Sequence, residues 1–254
     1  MTAPAVVYRL EIAYEGTAYR GWQIQREGPT IQGALLNAAR RLVGEDVRMV
    51  GASRTDAGVH ALRQTASLSL AALPRRSLST AEVQRALNAR LPTDIRVVQV
   101  REVAREFDAR RHALGKRYAY LLETAASPSP FLRRFAWHVA APLDLEAMRE
   151  SLVPLRGHHD FTAFRAAAGR AQPPFCQVRG VHVVARRERV AVLISADRFL
   201  HHMVRNIVGS AVEVGRGARK PVWLQEVLRG RDRTRAGPTA PAHGLTLVRV
   251  VYPR

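Results

Sequence analysis

The stretch Gly51-Ala-Ser-Arg-Thr-Asp-Ala-Gly-Val-His-Ala61 carries one carboxylate, Asp56, two positions after one guanidinium, Arg54. Most of its other residues are small, and two are glycines. Small residues let a ligand come close to the backbone. An arginine beside a carboxylate favours its charged form. The chemistry on offer is that of one ionised carboxylate in a loop: attack on an electrophilic carbon, or removal of a proton. The same residues also suit a plain structural role, because loop aspartates commonly close Asx turns or surface ion pairs.

Other chemistries find less in the sequence. Nine histidines include two adjacent pairs, His158-His159 and His201-His202. At 3.6 residues per helical turn, neighbours diverge by about 100°, so an adjacent pair does not chelate as a unit. No structural metal is expected, and cleft or packing roles suit the pairs better. The one cysteine, Cys176, has no triad around it and reads as a small inert thiol.

The elements that must hold the loop follow from periodicity. Val6 to Tyr14 places Tyr8, Leu10, Ile12 and Tyr14 on one face at period two. Thr30 caps a helix with Ile31, Leu35, Ala38 and Leu42 on its apolar face, ended by Gly44. Strands are expected at Val47 to Val50 and Gln64 to Leu70. Ser79 and Glu82 have capping-box spacing ahead of a helix running to about Leu91, and Ile95 to Val103 is a strand. The second half repeats the order. Arg117 to Thr124 is a strand, and Asp144 caps a helix bearing Leu145, Met148, Leu152 and Leu155. Val178 to Ala185 and Val190 to Ala196 form a hairpin, His201 to Val214 and Val222 to Leu228 are helices, and Leu245 to Val251 is the last strand. The reading is an α+β protein of two tandem ferredoxin-like (β-α-β-β-α-β) halves, residues 1–106 and 107–254, meeting near Arg105 to Leu114.

Composition bounds the function. The chain has 254 residues, with 40 Lys+Arg against 21 Asp+Glu and a net charge of +19. At 47% hydrophobic residues, intrinsic disorder is excluded. A lone cysteine excludes a disulfide scaffold, and no apolar run has the roughly 18 residues of a membrane span. Met1 to Val7 lacks the pattern of an export signal, so a cytoplasmic location is expected. Lys116 and Lys220 are the only lysines. Genome bias explains arginine over lysine, but not the excess of positive charge. That excess, carried mostly by residues 105–254, points to a polyanionic partner such as nucleic acid.

Arg54-Thr-Asp-Ala-Gly-Val-His60 closely resembles the catalytic motif of the TruA family of tRNA pseudouridine synthases. Six further stretches resemble that family in order and spacing. They are Tyr14-Glu-Gly-Thr-Ala-Tyr-Arg-Gly-Trp-Gln23, Asn88-Ala-Arg-Leu-Pro-Thr-Asp-Ile95, Phe107-Asp-Ala-Arg110, Lys116-Arg-Tyr-Ala-Tyr120, His158-His-Asp-Phe-Thr-Ala-Phe-Arg165 and Phe199-Leu-His-His-Met-Val-Arg-Asn-Ile-Val-Gly209. The resemblance runs from about residue 8 to residue 252. One departure stands out: near Pro174 the family carries an arginine where this chain has Phe175-Cys-Gln177.

The resemblance implies two ferredoxin-like halves with sheets joined side by side around a basic catalytic cleft. It implies a homodimer that grips the anticodon arm of tRNA and converts uridines 38, 39 and 40 to pseudouridine without metal or organic cofactor. Asp56 is then the catalytic carboxylate, Arg205 its partner, and Tyr118 the aromatic against the flipped base. Leu245 covers that base, and Arg54 helps fold the loop or meets the RNA backbone. Each also has a plain reading: Arg205 as a helix surface charge, Tyr118 as a strand aromatic and Leu245 as core. Tyr120 lies on the same strand face as Tyr118, so only the motif separates them. Phosphate contacts are expected among Arg110, Arg111, Lys116, Arg165 and Arg170. The competing reading, a non-catalytic tandem RNA-recognition-motif protein, needs aromatics on its central strands. Val178 to Ala185 has none.

Overall fold

Alternation decides the first strand. In β1 (Val6–Tyr14) the side chains of Tyr8, Leu10, Ile12 and Tyr14 are all buried. Thr30 accepts from the Gly33 N–H and starts α1 (Ile31–Val43), which ends at Gly44 with φ 93°. β2 (Val47–Gly51) and β3 (His60–Leu70) follow. Ser79 and Glu82 form a complete capping box at the head of α2 (Thr80–Asn88), three residues shorter than expected. β4 (Ile95–Val103) completes the run β-α-β-β-α-β. The computed structural model describes residues 6–44, 46–70, 78–166 and 173–253; Arg170 lies outside them.

The chain divides into two compact units, Met1–Leu114 with Leu247–Arg254, and Gly115–Thr246. In the first, β1 lies between β4 and β3, antiparallel to both. β2 pairs antiparallel with Ala66–Leu70 of β3, and β10 (Leu245–Val251) also joins β3. Leu10, Ile12, Ile31, Leu35, Leu87 and Ile95 form a fully buried core. Each such side chain contributes roughly 1.5–3 kcal/mol by leaving water. The β1–β3 register slips between Ile12 and Tyr14, the kind of irregularity that re-aims a side chain.

In the second unit the sheet order is β5 (Gly115–Glu123), β9 (Arg189–Ala196), β8 (Phe175–Arg186), β7 (Gly157–Asp160), with β6 (Trp137–His138) parallel to β5. The sequence reading lacked the short strands β6 and β7. Asp144 caps α3 (Leu145–Leu152) through the Glu146 and Ala147 N–H groups. α4 (Met203–Gly215) packs against α3, and α5 (Trp223–Gly230) closes the set. Tyr120, Leu122, Met148, Phe161 and Phe164 fill this core.

Candidate active site

β2 ends at Gly51 and β3 begins at His60, so the carboxylate loop is Ala52–Val59. The strand starts earlier than the sequence pattern indicated. His60 is buried, and its Nδ1 accepts from the Gly16 N–H at 3.0 Å, which draws the end of the motif into the sheet. Within the loop, burial alternates. Ser53 and Thr55 are buried, Arg54 is exposed and Asp56 is half-buried.

The inward residues are held from behind. Gln64 donates from Nε2 to the Ser53 carbonyl at 2.7 Å. The hydroxyls of Tyr14 and Thr55 lie 2.8 Å apart, and the Trp22 N–H donates to the Thr55 carbonyl at 3.0 Å. The Val59 N–H closes a turn onto the Asp56 carbonyl at 3.2 Å. Two glycines make this approach possible. A Cβ on Gly16 would meet the Val59 carbonyl oxygen at 2.1 Å, and one on Gly21 would meet that of Thr55 at 2.5 Å. Tyr19 belongs to the same cradle and donates to Asp94 at 2.6 Å. Burial, then the Asp94 carboxylate, push its phenol well above the ordinary range, so it stays protonated. The segment Tyr14–Gln23 thus buttresses the loop, and Ser53 and Thr55 act as its pegs. Gln64, fully buried on β3, was not singled out from sequence; a long polar side chain in a strand of small and apolar residues is the sign that could have found it.

Tyr118, Tyr120, Arg205 and Leu245 belong to the second unit. Tyr118 sits on β5 opposite Ile194 of β9 and is only 6% exposed, with its ring edge-on to Phe199 at 5.1 Å. Tyr120 differs in kind. Its hydroxyl donates to the Pro241 carbonyl at 2.7 Å, and a Cβ on Gly244 would strike its ring at 2.6 Å. Burial raises its phenol far above the usual value, with Arg205 opposing the rise. Tyr120 is therefore committed to packing. Leu245, the first residue of β10, is buried.

Arg205 lies on the first turn of α4 and is half-buried. Its Nε donates to the Ala240 carbonyl at 2.7 Å, and its own carbonyl accepts from the Ala240 N–H at 3.2 Å. α4 starts two residues later than expected, because His202 adopts the left-handed conformation at φ 61° and serves as the N-cap. A non-glycine residue there stores strain, a common trait of functional sites. The His201 and His202 rings lie 4.0 Å apart.

Among the phosphate candidates, Arg110 and Arg111 are exposed, their backbone N–H groups both donating to the Asp108 carboxylate. Lys116 and Arg165 are half-buried. Cys176 is fully buried, and burial pushes its thiol up to about 12, so it is not a nucleophile at neutral pH.

Residues 12–110 and 152–253 match the family described as tRNA pseudouridine synthase. The chain is 45% identical over 246 residues to tRNA pseudouridine synthase A of Myxococcus xanthus, covering 96% of this chain and 91% of that one. It is 42% identical over 246 residues to the protein of that name from Moorella thermoacetica, covering 96% and 98%. A third relative of that name, from Thermoanaerobacter sp., is 38% identical over 241 residues, covering 95% and 97%.

Proposed function

This chain belongs to the tRNA pseudouridine synthase family, and from that premise we propose that it isomerises uridine to pseudouridine at positions 38, 39 and 40 of the tRNA anticodon arm. The reaction breaks the N1–C1′ bond, turns the uracil within the site, and joins C5 to C1′. The C5 proton then leaves and N1 gains one. The base is retained and no water is consumed, so one carboxylate suffices where ordinary glycosidases use two. The same balance requires no redox partner, and we assign no metal or organic cofactor.

In this reading Asp56 works at the ribose, either by attacking C1′ or by taking a ribose proton to give a glycal. Arg205 is its cationic partner. Tyr118 faces the extruded base and assists loss of the C5 proton, Leu245 covers the base, and Arg54 meets the RNA backbone. Extruding a paired base costs on the order of a few kcal/mol, which phosphate contacts from the basic surface offset. Arg110, Arg111, Lys116 and Arg165 are the candidates. By resemblance the working form is a homodimer, and from the sequence we place it in the cytoplasm. No helix among the described residues is long and apolar enough to cross a membrane.

The observation that supports this most is the loop itself. The Ser53 and Thr55 carbonyls are pinned from behind, while Arg54 is exposed and Asp56 half-buried on the same backbone. The test is tritium release from a tRNA transcript labelled at C5 of uridine, with a chelator present. Release, with pseudouridine mapped to positions 38–40, is expected. Tight tRNA binding without release would leave an RNA-binding module and overturn the assignment.

A further inference from the structure

Arg205 is gripped at two points by a single residue, Ala240. The Nε bond matters most, because it fixes the plane of the guanidinium and with it the direction of the terminal nitrogens. What fixes Ala240 is a closed hydrogen-bond network. The side chain of Asn206, next to Arg205 on α4, is fully buried. Its Nδ2 donates to the Phe164 carbonyl at 2.8 Å, and its Oδ1 accepts from the Thr239 hydroxyl at 2.6 Å and from Arg233 Nη2 at 3.0 Å. Arg233 Nη2 also donates to Thr239 Oγ1 at 3.0 Å, and Nη1 donates to the Gly237 carbonyl at 3.0 Å. One turn further along α4, the Ser210 hydroxyl donates to the Asn206 carbonyl and accepts from the Gly237 N–H. A Cβ on Gly209 would meet the Pro238 carbonyl oxygen at 1.8 Å, so residues 236–240 lie directly on the helix.

We infer that Thr239, Arg233 and Asn206 are positioning residues for Arg205, holding the segment whose Ala240 carbonyl aims its guanidinium. The inference rests on the reading that Arg205 serves Asp56. None of the three touches substrate in this account. Each acts through the backbone of residues 236–240. Arg233 is suited to this because its planar fork serves several acceptors at once, which a lysine does not. Thr239 is the joint of the network, since its hydroxyl both accepts from Arg233 and donates to Asn206.

The experiment is a double-mutant cycle read by single-turnover pseudouridine formation. Thr239→Val keeps the shape and removes the hydroxyl; Arg233→Lys keeps the charge and removes the fork. Each is combined with Arg205→Lys, which lacks the Nε bond to Ala240. Melting curves and tRNA affinity are measured for every variant. The expected result is that Thr239→Val slows the wild-type enzyme about tenfold, as sub-ångström misplacement of a reacting group does. In the Arg205→Lys background its further effect is less than about twofold, because coupled residues are non-additive. Affinity for tRNA stays within about twofold throughout, and Arg233→Lys repeats the pattern. An equal loss in both backgrounds means that Thr239 only supports the fold, and no loss in wild type means that the network does not aim Arg205; either overturns the inference. If Arg205→Lys itself runs at the wild-type rate, the reading of Arg205 fails and the inference fails with it, a result separable from the other two.

Discussion

The loop bearing Asp56 and the helix turn bearing Arg205 are both anchored, but by opposite means. The Asp56 loop is pinned mainly through its own backbone: the Ser53 and Thr55 carbonyls each receive a donor, and Gly16 and Gly21 allow main chain to press on main chain. Its supports come largely from one nearby segment, Tyr14–Gln23. Arg205 is held at the side chain, by a carbonyl that a second layer of side chains fixes in turn. A backbone-pinned loop suits a short carboxylate that must not move. A long arginine has several rotatable bonds, and only a bond partway along it limits where its end can go. The lesson is that the reach of a side chain decides how many layers are needed to aim it.

The harshest way to break this comparison is to make the same substitution in both regions. Gly16→Ala and Gly209→Ala each place a Cβ against a carbonyl oxygen, at 2.1 Å and 1.8 Å. Gly209 lies inside α4, where alanine would normally gain about 1 kcal/mol. Overpacking costs about 1–3 kcal/mol or more, so both variants are expected to melt earlier, and thermal denaturation checks it. A more stable Gly209→Ala protein would show that the segment over α4 is not tightly seated.

Next in size is Tyr118→Phe. Single-turnover kinetics should show a rate loss of about a hundredfold with tRNA binding retained, the scale of a lost proton-transfer group. A wild-type rate would make the ring only a stacking surface. Tyr120→Phe is the contrast, expected to cost about 1 kcal/mol of stability by orphaning the Pro241 carbonyl and to leave proton transfer alone.

Tyr14→Phe sharpens the loop side. It removes the hydroxyl 2.8 Å from Thr55 Oγ1. The expected cost is about 1 kcal/mol in stability, with a rate loss larger than that of Tyr120→Phe, because the loop and not the core is loosened.

The last effect is confined to alkaline pH. Burial raises the Cys176 thiol from 9.0 to about 12. A raised folded pKa leaves stability intact below the unfolded value and lowers it as pH climbs from 9.0 toward about 12, since only the unfolded chain ionises there. Cys176→Ala should therefore flatten part of the alkaline loss in denaturation curves, and iodoacetamide should label the wild-type thiol only on unfolding.

These two regions also differ in how far the sequence reveals them. The helix caps at Thr30, Ser79 and Asp144 are local chemistry, and the structure has all three. The burial of Tyr8, Leu10, Ile12 and Tyr14 follows from a period of two. Arg54 and Asp56 stand out because charged residues among small ones are visible in a window of ten. The Arg233, Asn206 and Thr239 network is not, since its members come from segments some thirty residues apart with no period linking them. Nor did periodicity foresee the left-handed His202, which delays α4 by two residues, or the two- and four-residue strands β6 and β7, too short to show one. Tyr118 and Tyr120 are equivalent on a strand pattern; contacts such as that of Tyr120 with the Pro241 carbonyl, brought back by the chain far downstream, separate them.

The central claim is that one carboxylate, Asp56, performs the chemistry. Asp56→Asn keeps the size of the side chain and removes its charge. Single-turnover pseudouridine formation and tRNA affinity, measured on the same preparation, test it directly. The account predicts a rate lower by at least about a thousandfold, with affinity within about threefold of wild type. Turnover by Asp56→Asn at a tenth of the wild-type rate or faster would contradict it.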